Sequence, residues 1–292
     1  MNESILIRTY NPTLNQIKRI LKWCISNKKD TIKRDFWVSI DCTFPRPLSI
    51  KEKIIEEIRK LNKVNKVINL DTDIYFHEYK QSDLVLFYPA LKPITLDKTV
   101  KEEYRKNQRS IAWGMHIEPI NYWYRKEIIK NNDNNTKYYN NIWVIEDDVG
   151  FSNSITNWIS YYSTNKYINT DVLTLNVDNI SYKSLDFCHY ASKNYDIKYQ
   201  LNIRKKTKEH CQRLSTKFLN HLHYLGIEEG CHKWSEEFVP TCCIIHGFTF
   251  SLFEKNHIGE KYDWNKRVNQ AEWERIKRNS SELGKIYHAL KF

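Results

Sequence analysis

Ile142-Trp143-Val144-Ile145-Glu146-Asp147-Asp148-Val149 runs an apolar segment straight into three consecutive carboxylates. A short continuous apolar run of this kind reads as a strand buried on both faces. Three adjacent negative charges at its end repel one another in a poorly screened setting unless a cation or a metal-bound nucleotide offsets them. Hard divalent cations take oxygen ligands, and one or two carboxylates plus substrate phosphates are their usual setting. The stretch therefore points to a metal-assisted enzyme; the competing reading is an acidic turn paired with surface lysines.

Upstream, strands and helices alternate. Ile5 to Tyr10 reads as a strand, Asn11-Pro12-Thr13 as a turn and helix start, and Leu14, Ile17, Ile20 and Leu21 recur at helical spacing. Phe36 to Asp41 reads as a second strand, followed by a helix opened by Ser49 with Ile54, Ile55, Ile58 and Leu61 on one face. Val64 to Leu70 is predicted as a third strand ending in Asp71-Thr72-Asp73. Such alternation predicts a parallel-type sheet flanked by helices, with ligands bound beyond the carboxyl ends of its strands. Thr9, Asp41, Asp71 and Glu146 to Asp148 all fall at predicted strand ends.

Downstream the reading is coarser. Asn121 to Lys130 is predicted as a helix, and the Asn-rich tract Lys130 to Asn141 as an exposed loop. Ile155, Trp158, Ile159 and Tyr162 have helical spacing, and Asp171 to Val177 reads as a strand. A basic helix is expected over Ile203 to Leu225, then an apolar stretch Cys242 to Phe253 and a polar C-terminal tail. No internal repeat or strong linker divides the chain. One domain is expected, with a nucleotide half over about 1–151 and an acceptor half over about 152–292.

At 292 residues and 41% hydrophobic content the chain can fill a sizeable core. The net charge of +11 comes mostly from lysines scattered among Asn, Ile and Tyr, a composition also produced by AT-rich coding. A basic nucleic-acid-binding protein would concentrate that charge in an arm or helix, and no such motif is present. A diffuse positive field still helps to collect an anionic substrate. Seven cysteines without a C-x-x-C pair argue against a disulfide framework or a zinc ribbon and for a reducing compartment. The apolar start Ile5-Leu6-Ile7 is too short for a signal peptide or anchor, so a cytoplasmic location without a membrane segment is expected.

With strand Ile5 to Thr9, strand-terminal Asp41 and Asp71, and the apolar strand closing in Glu146-Asp147-Asp148, the chain resembles GT-A type glycosyltransferases. The resemblance covers roughly Ile5 to Phe151. It implies a GT-A-like (Rossmann-like) α/β fold, a mixed sheet flanked by helices, in which a D-x-D-like motif binds Mn2+ (or Mg2+) bridging the diphosphate of a nucleotide-diphospho-sugar donor. Asp148 would then be a direct metal ligand. Glu146 and Asp147 would contact metal, ribose or donor sugar, and Thr9, Asp41 and Asp71 would line the nucleotide site. In many such enzymes a C-terminal histidine completes the metal shell, a role that falls here on His246.

Trp234-Ser235-Glu236-Glu237-Phe238-Val239-Pro240-Thr241 is similar to a segment of branching N-acetylglucosaminyltransferases and xylosyltransferases. The glutamate acting as base there matches Glu236. A base is required in an inverting reaction, because the acceptor hydroxyl, of a carbohydrate or a protein, loses its proton as it attacks. Those enzymes usually carry Asp where this chain has Ser235, and work without metal. A Ser-Glu-Glu run is also common chemistry for a solvated helix start. His116-Ile117-Glu118 is a further candidate for the donor pocket, and Trp113, Trp123, Tyr124, Trp143 and Trp158 are candidates for stacking on sugar. Cys211, His221, His223, Cys231 and His232 match no standard zinc spacing. A nucleotidyltransferase, the alternative enzyme class, would need a Gly-rich phosphate loop that Arg8-Thr9-Tyr10-Asn11-Pro12 lacks.

Overall fold

The computed structural model describes residues 2–64, 67–98, 100–102, 110–130, 138–164, 166–180, 191–262, 266–290 and 292. Most of the Asn-rich tract, 131–137, lies outside the described residues.

The strands are β1 (Glu3–Thr9), β2 (Asp35–Asp41), β3 (Tyr75–Tyr79), β4 (Asn141–Glu146), β5 (Gly150–Phe151), β6 (Val172–Thr174), β7 (Asp178–Asn179), β8 (Lys205–Lys206), β9 (Cys211–Ser215), β10 (Phe250–Leu252), β11 (Ile258–Tyr262) and β12 (Ile286–His288). Seven form one mixed sheet in the order β10-β6-β9-β4-β1-β2-β3, flanked by helices. Within it β9 alone runs against its neighbours, antiparallel to β4 and β6. The carboxyl ends of β1, β2 and β4 therefore share one edge with the start of β9. A small second sheet, β11-β12-β5, carries the C-terminal strand back to the residues just after β4.

Side-chain alternation divides the core. Ile5, Ile7, Val38, Ile40, Trp143 and Ile145 pack toward helices Leu14–Lys29, Ile50–Val64 and Ile155–Tyr162. Leu6, Ile142, Val144 and Leu214 face helices Ile117–Trp123, Thr216–Ile227 and Ser235–Ile245. Ile142 to Ile145 is accordingly buried throughout, as a central strand covered on both faces must be. Local signals set the element starts: Thr13 and Gln16 form a capping box, and Ser49 and Glu52 exchange the same pair of bonds.

Two expectations are corrected. Val64 ends a helix, and the third strand is Tyr75–Tyr79, because the turn between them is tied by Asn62 to Val67 and Ile68 and by Asp73 to Asn69. The basic helix starts only at Thr216, since Cys211–Ser215 pairs with β4. The region after Cys242 begins inside helix Ser235–Ile245, and the polar tail folds into β11, helix Gln270–Arg278 and β12.

Candidate functional site

A cleft opens at the carboxyl edge, lined by Arg8, Thr9, Tyr10, Asp41, Tyr79, Ser110, Ala112, Trp113 and Glu146 to Asp148. It brings together six of the residues singled out from the sequence: Thr9, Asp41, Trp113, Glu146, Asp147 and Asp148. Asp41 ends β2, accepts hydrogen bonds from Ser110 Oγ and, at 2.9 Å, from the Thr43 amide, and is thereby fixed toward the cleft.

The acidic triplet splits by direction. Glu146, the last residue of β4, and Asp148, in the turn after it, meet the same histidine. Asp147 turns toward the start of helix Leu14–Lys29, accepting from Thr9 Oγ1 and, at 2.9 Å, from Gln16 Nε2. Its amide donates to the Arg8 carbonyl at 3.2 Å, which locks the turn against β1.

Glu146 stands at the centre of a histidine and carboxylate cluster. Antiparallel pairing of β9 places His210 beside it: the Glu146 amide donates to His210 O at 2.9 Å, and His210 Nδ1 lies 2.9 Å from Glu146 Oε2. His288, the last residue of β12, approaches from the small sheet, with Nε2 3.6 Å from Glu146 Oε2 and 3.2 Å from Asp148 Oδ1. The imidazoles of His210 and His288 stack at 3.5 Å between centroids. His116 adds Nε2 at 3.8 Å from Glu146 Oε1, and its Nδ1 lies 2.7 Å from the buried Glu209 Oε1.

The electrostatics follow from this crowding. Burial works to raise the Glu146 carboxyl, yet His210, His288 and His116 hold it well below the usual carboxylate range. Burial likewise opposes charge on His288, but Asp148 and Glu146 prevail and lift the imidazole to about 9. Two carboxylates thus demand a cation here, and an imidazolium serves. Potential ligand atoms of Glu146, His210 and His288 lie within 4.8 Å of one another. Two imidazole nitrogens with carboxylate oxygens suit Mn2+ and similar borderline ions better than Mg2+, which prefers oxygen alone.

Arg8 completes the cleft. Its Nη2 donates to the Ala112 carbonyl at 3.0 Å, whereas Nε and Nη1 find no hydrogen-bond acceptor among the described residues. Glu146 Oε1 stands 3.9 Å from Nη1. A buried guanidinium with unused donors is suited to a ligand oxyanion.

Glu236 lies in the first turn of helix Ser235–Ile245, whose start is fixed by Ser235 Oγ accepting the His116 amide at 2.6 Å. Burial pushes its carboxyl up to about 7, with Glu209 and Glu146 adding to the rise and His210 opposing it. The glutamate is thus half-buried within electrostatic reach of the cluster, unlike a solvated helix-start residue.

Asp71 and His246 do not join the site. Asp71 is exposed in the turn ahead of β3, and because β3 runs parallel to β2 that turn lies at the opposite edge of the sheet from Asp41. His246 caps a helix; its Nε2 is 2.8 Å from the Tyr199 hydroxyl and its ring abuts His221, so its surroundings are those of the helical face. Among the aromatic candidates Trp113 lines the cleft, while Trp123, Tyr124, Trp143 and Trp158 are buried in the core. Of the Cys and His group, His223 bonds Tyr88 and His232 bonds Glu118. Sequence reading missed His210 and His288, which acquire their place only through strand pairing.

No family model matches the chain, and no curated protein matches it. Among solved structures, a mannosyltransferase from Pyrobaculum calidifontis in complex with GDP-Man and Mn2+ is similar over 87% of this chain, at 8% identity and a TM-score of 0.43. The chain spans about half the length of that protein, 55% of it. No described helix is long and apolar enough to cross a membrane.

Proposed function

We propose that the chain is a metal-dependent glycosyltransferase that moves a sugar from a nucleotide-diphospho-sugar to a hydroxyl of a carbohydrate or protein. One observation carries the reading: Glu146, Asp148, His210 and His288 converge at the carboxyl edge of the sheet, next to the unused donors of Arg8. Those four side chains would hold the ion, Mn2+ by donor chemistry. When bound, it supplies charge stabilisation to the departing diphosphate. Arg8 binds a diphosphate oxygen with its free N–H groups. Asp41, held by Ser110 and Thr43, orients the nucleoside from the β2 end, while Thr9 and Asp147 hold the turn that presents Asp148.

Glu236 accepts the acceptor proton as the hydroxyl attacks the anomeric carbon, the role an inverting transfer needs. A carboxyl raised toward neutrality by its surroundings is matched to that task. The cleft has a cavity volume of about 80 Å3.

A thermal-shift panel of nucleotide-diphospho-sugars with and without Mn2+ tests the reading. A ligand of the native state raises the melting temperature by mass action. One donor is expected to raise it in Mn2+ and to lose most of that effect in EDTA. A panel in which every nucleotide-sugar leaves the melting temperature unmoved, with or without Mn2+, would sink the proposal.

A further inference from the structure

A second cavity, of about 460 Å3, lies between helix Leu14–Lys29, the segment Ser152–Ile155 and helix Gln270–Arg278. It shares no lining residue with the cleft. Its volume falls within the range of small-molecule sites, roughly 300–1,000 Å3. The apolar wall is made by Trp23, Phe151 and Trp273, with Trp23 and Phe151 packed edge to face at 5.6 Å. Lys18 and Lys22, one helical turn apart and exposed, stand over that wall with Arg19 and Lys277. The single carboxylate in the lining, Glu274, is already paired with Lys277 at 2.7 Å.

Lysines on an outer helical face are ordinarily just solvated. Arg19 distinguishes this cavity. Its Nη1 donates to the carbonyls of Asp147 and Val149 at 3.1 and 3.3 Å, and its guanidinium lies 5.4 Å from the Phe292 ring centroid. Nη2 is buried and finds no acceptor among the described residues. A charged donor taken from water without an acceptor is costly, and Arg19 lines the same cavity as Lys18 and Lys22.

We propose that this cavity is a binding site, separate from the cleft, for an organic phosphate: its apolar body against the Trp23 and Trp273 wall, its oxyanion on Lys18, Lys22 and Arg19. The test is isothermal titration of the full chain with 1-naphthyl phosphate, with 1-naphthol and inorganic phosphate as partial probes. Saturable binding of 1-naphthyl phosphate is expected, tighter than either partial probe. The double charge reversal Lys18→Glu with Lys22→Glu is expected to weaken it about tenfold or more, since two charge-assisted contacts are lost. Lys60→Glu with Lys63→Glu, an equal charge change on another exposed helix face, and Asp148→Asn in the cleft are each expected to leave the affinity within about twofold. The proposal is overturned by absence of saturable binding, by 1-naphthol binding as tightly as its phosphate, or by an equal loss in either control variant.

Discussion

His288 Nε2 stands 3.2 Å from Asp148 Oδ1, and the backbone holds it there: the Leu290 amide donates to the Asp148 carbonyl at 2.8 Å. A residue from the last strand thereby enters the acidic turn after β4. If it is an ion ligand, His288→Gln weakens Mn2+ binding about tenfold to a hundredfold, measured by titration of the ion alone, because an imidazole donor is lost while a hydrogen-bond donor toward Asp148 remains. His246→Gln is expected to leave that affinity unchanged. The reverse pattern would restore the histidine expected from the sequence.

Arg8 offers a separable test. Arg8→Met keeps the apolar bulk of this cleft-lining side chain and removes its unpartnered donors. The expected result is a donor KM raised about tenfold or more, since hydrogen bonds to charged groups contribute roughly 1.5–3 kcal/mol. Mn2+ affinity should stay near that of the parent chain. Arg8→Lys should recover only part of the loss, a point charge lacking the planar fork. Steady-state kinetics at saturating acceptor would separate KM from kcat.

Why some of this arrangement was legible in the sequence is a matter of range. β1, β2, β4 and the helices after β1 and β2 announce themselves through local periodicity and the capping pairs Thr13 with Gln16 and Ser49 with Glu52. The strand ends at Thr9, Asp41 and Glu146 follow from those elements. β9 carries no such signal, because the fully buried Arg213 in its middle donates from Nη1 and Nη2 to the carbonyls of Tyr162 and Thr170, far away in sequence. Reading β9 as helix hid His210, and no strand was expected in the polar C-terminal tail that carries His288. Asp71 went astray for a related reason: an Asn62 side chain ties the chain down after the helix, delaying β3 beyond the aspartate.

Glu236→Gln addresses the proton-accepting step. Removing a general base is expected to lower kcat about 10^2- to 10^4-fold with donor and Mn2+ affinity little changed. A stability signature accompanies it. The folded-state value of about 7 lies above the usual 4.5, so the native state holds its proton more tightly. That contribution is present in full below about 4.5 and is lost as pH rises through 7. In EDTA, Glu236→Gln should therefore raise the melting temperature relative to the parent chain at pH 8 more than at pH 5. Equal offsets at both values would remove the case for a destabilised, poised carboxyl.

Within the acidic triplet, Asp147 and Asp148 divide the work between stability and binding. Asp147 Oδ1 accepts from Gln16 Nε2 at 2.9 Å and Oδ2 from Thr9 Oγ1, so Asp147→Asn places an amide against one of two donors. A loss of about 1–3 kcal/mol is expected in denaturant unfolding, with Mn2+ affinity nearly retained. Asp148→Asn exchanges one oxygen facing His288 for an uncharged group. Its Mn2+ affinity should fall about tenfold or more, because a charged ligand is lost while the turn keeps its Thr9 and Gln16 anchors. Parallel unfolding and ion titrations of the two variants decide whether the triplet holds the ion through Glu146 and Asp148 or through Asp147 as well.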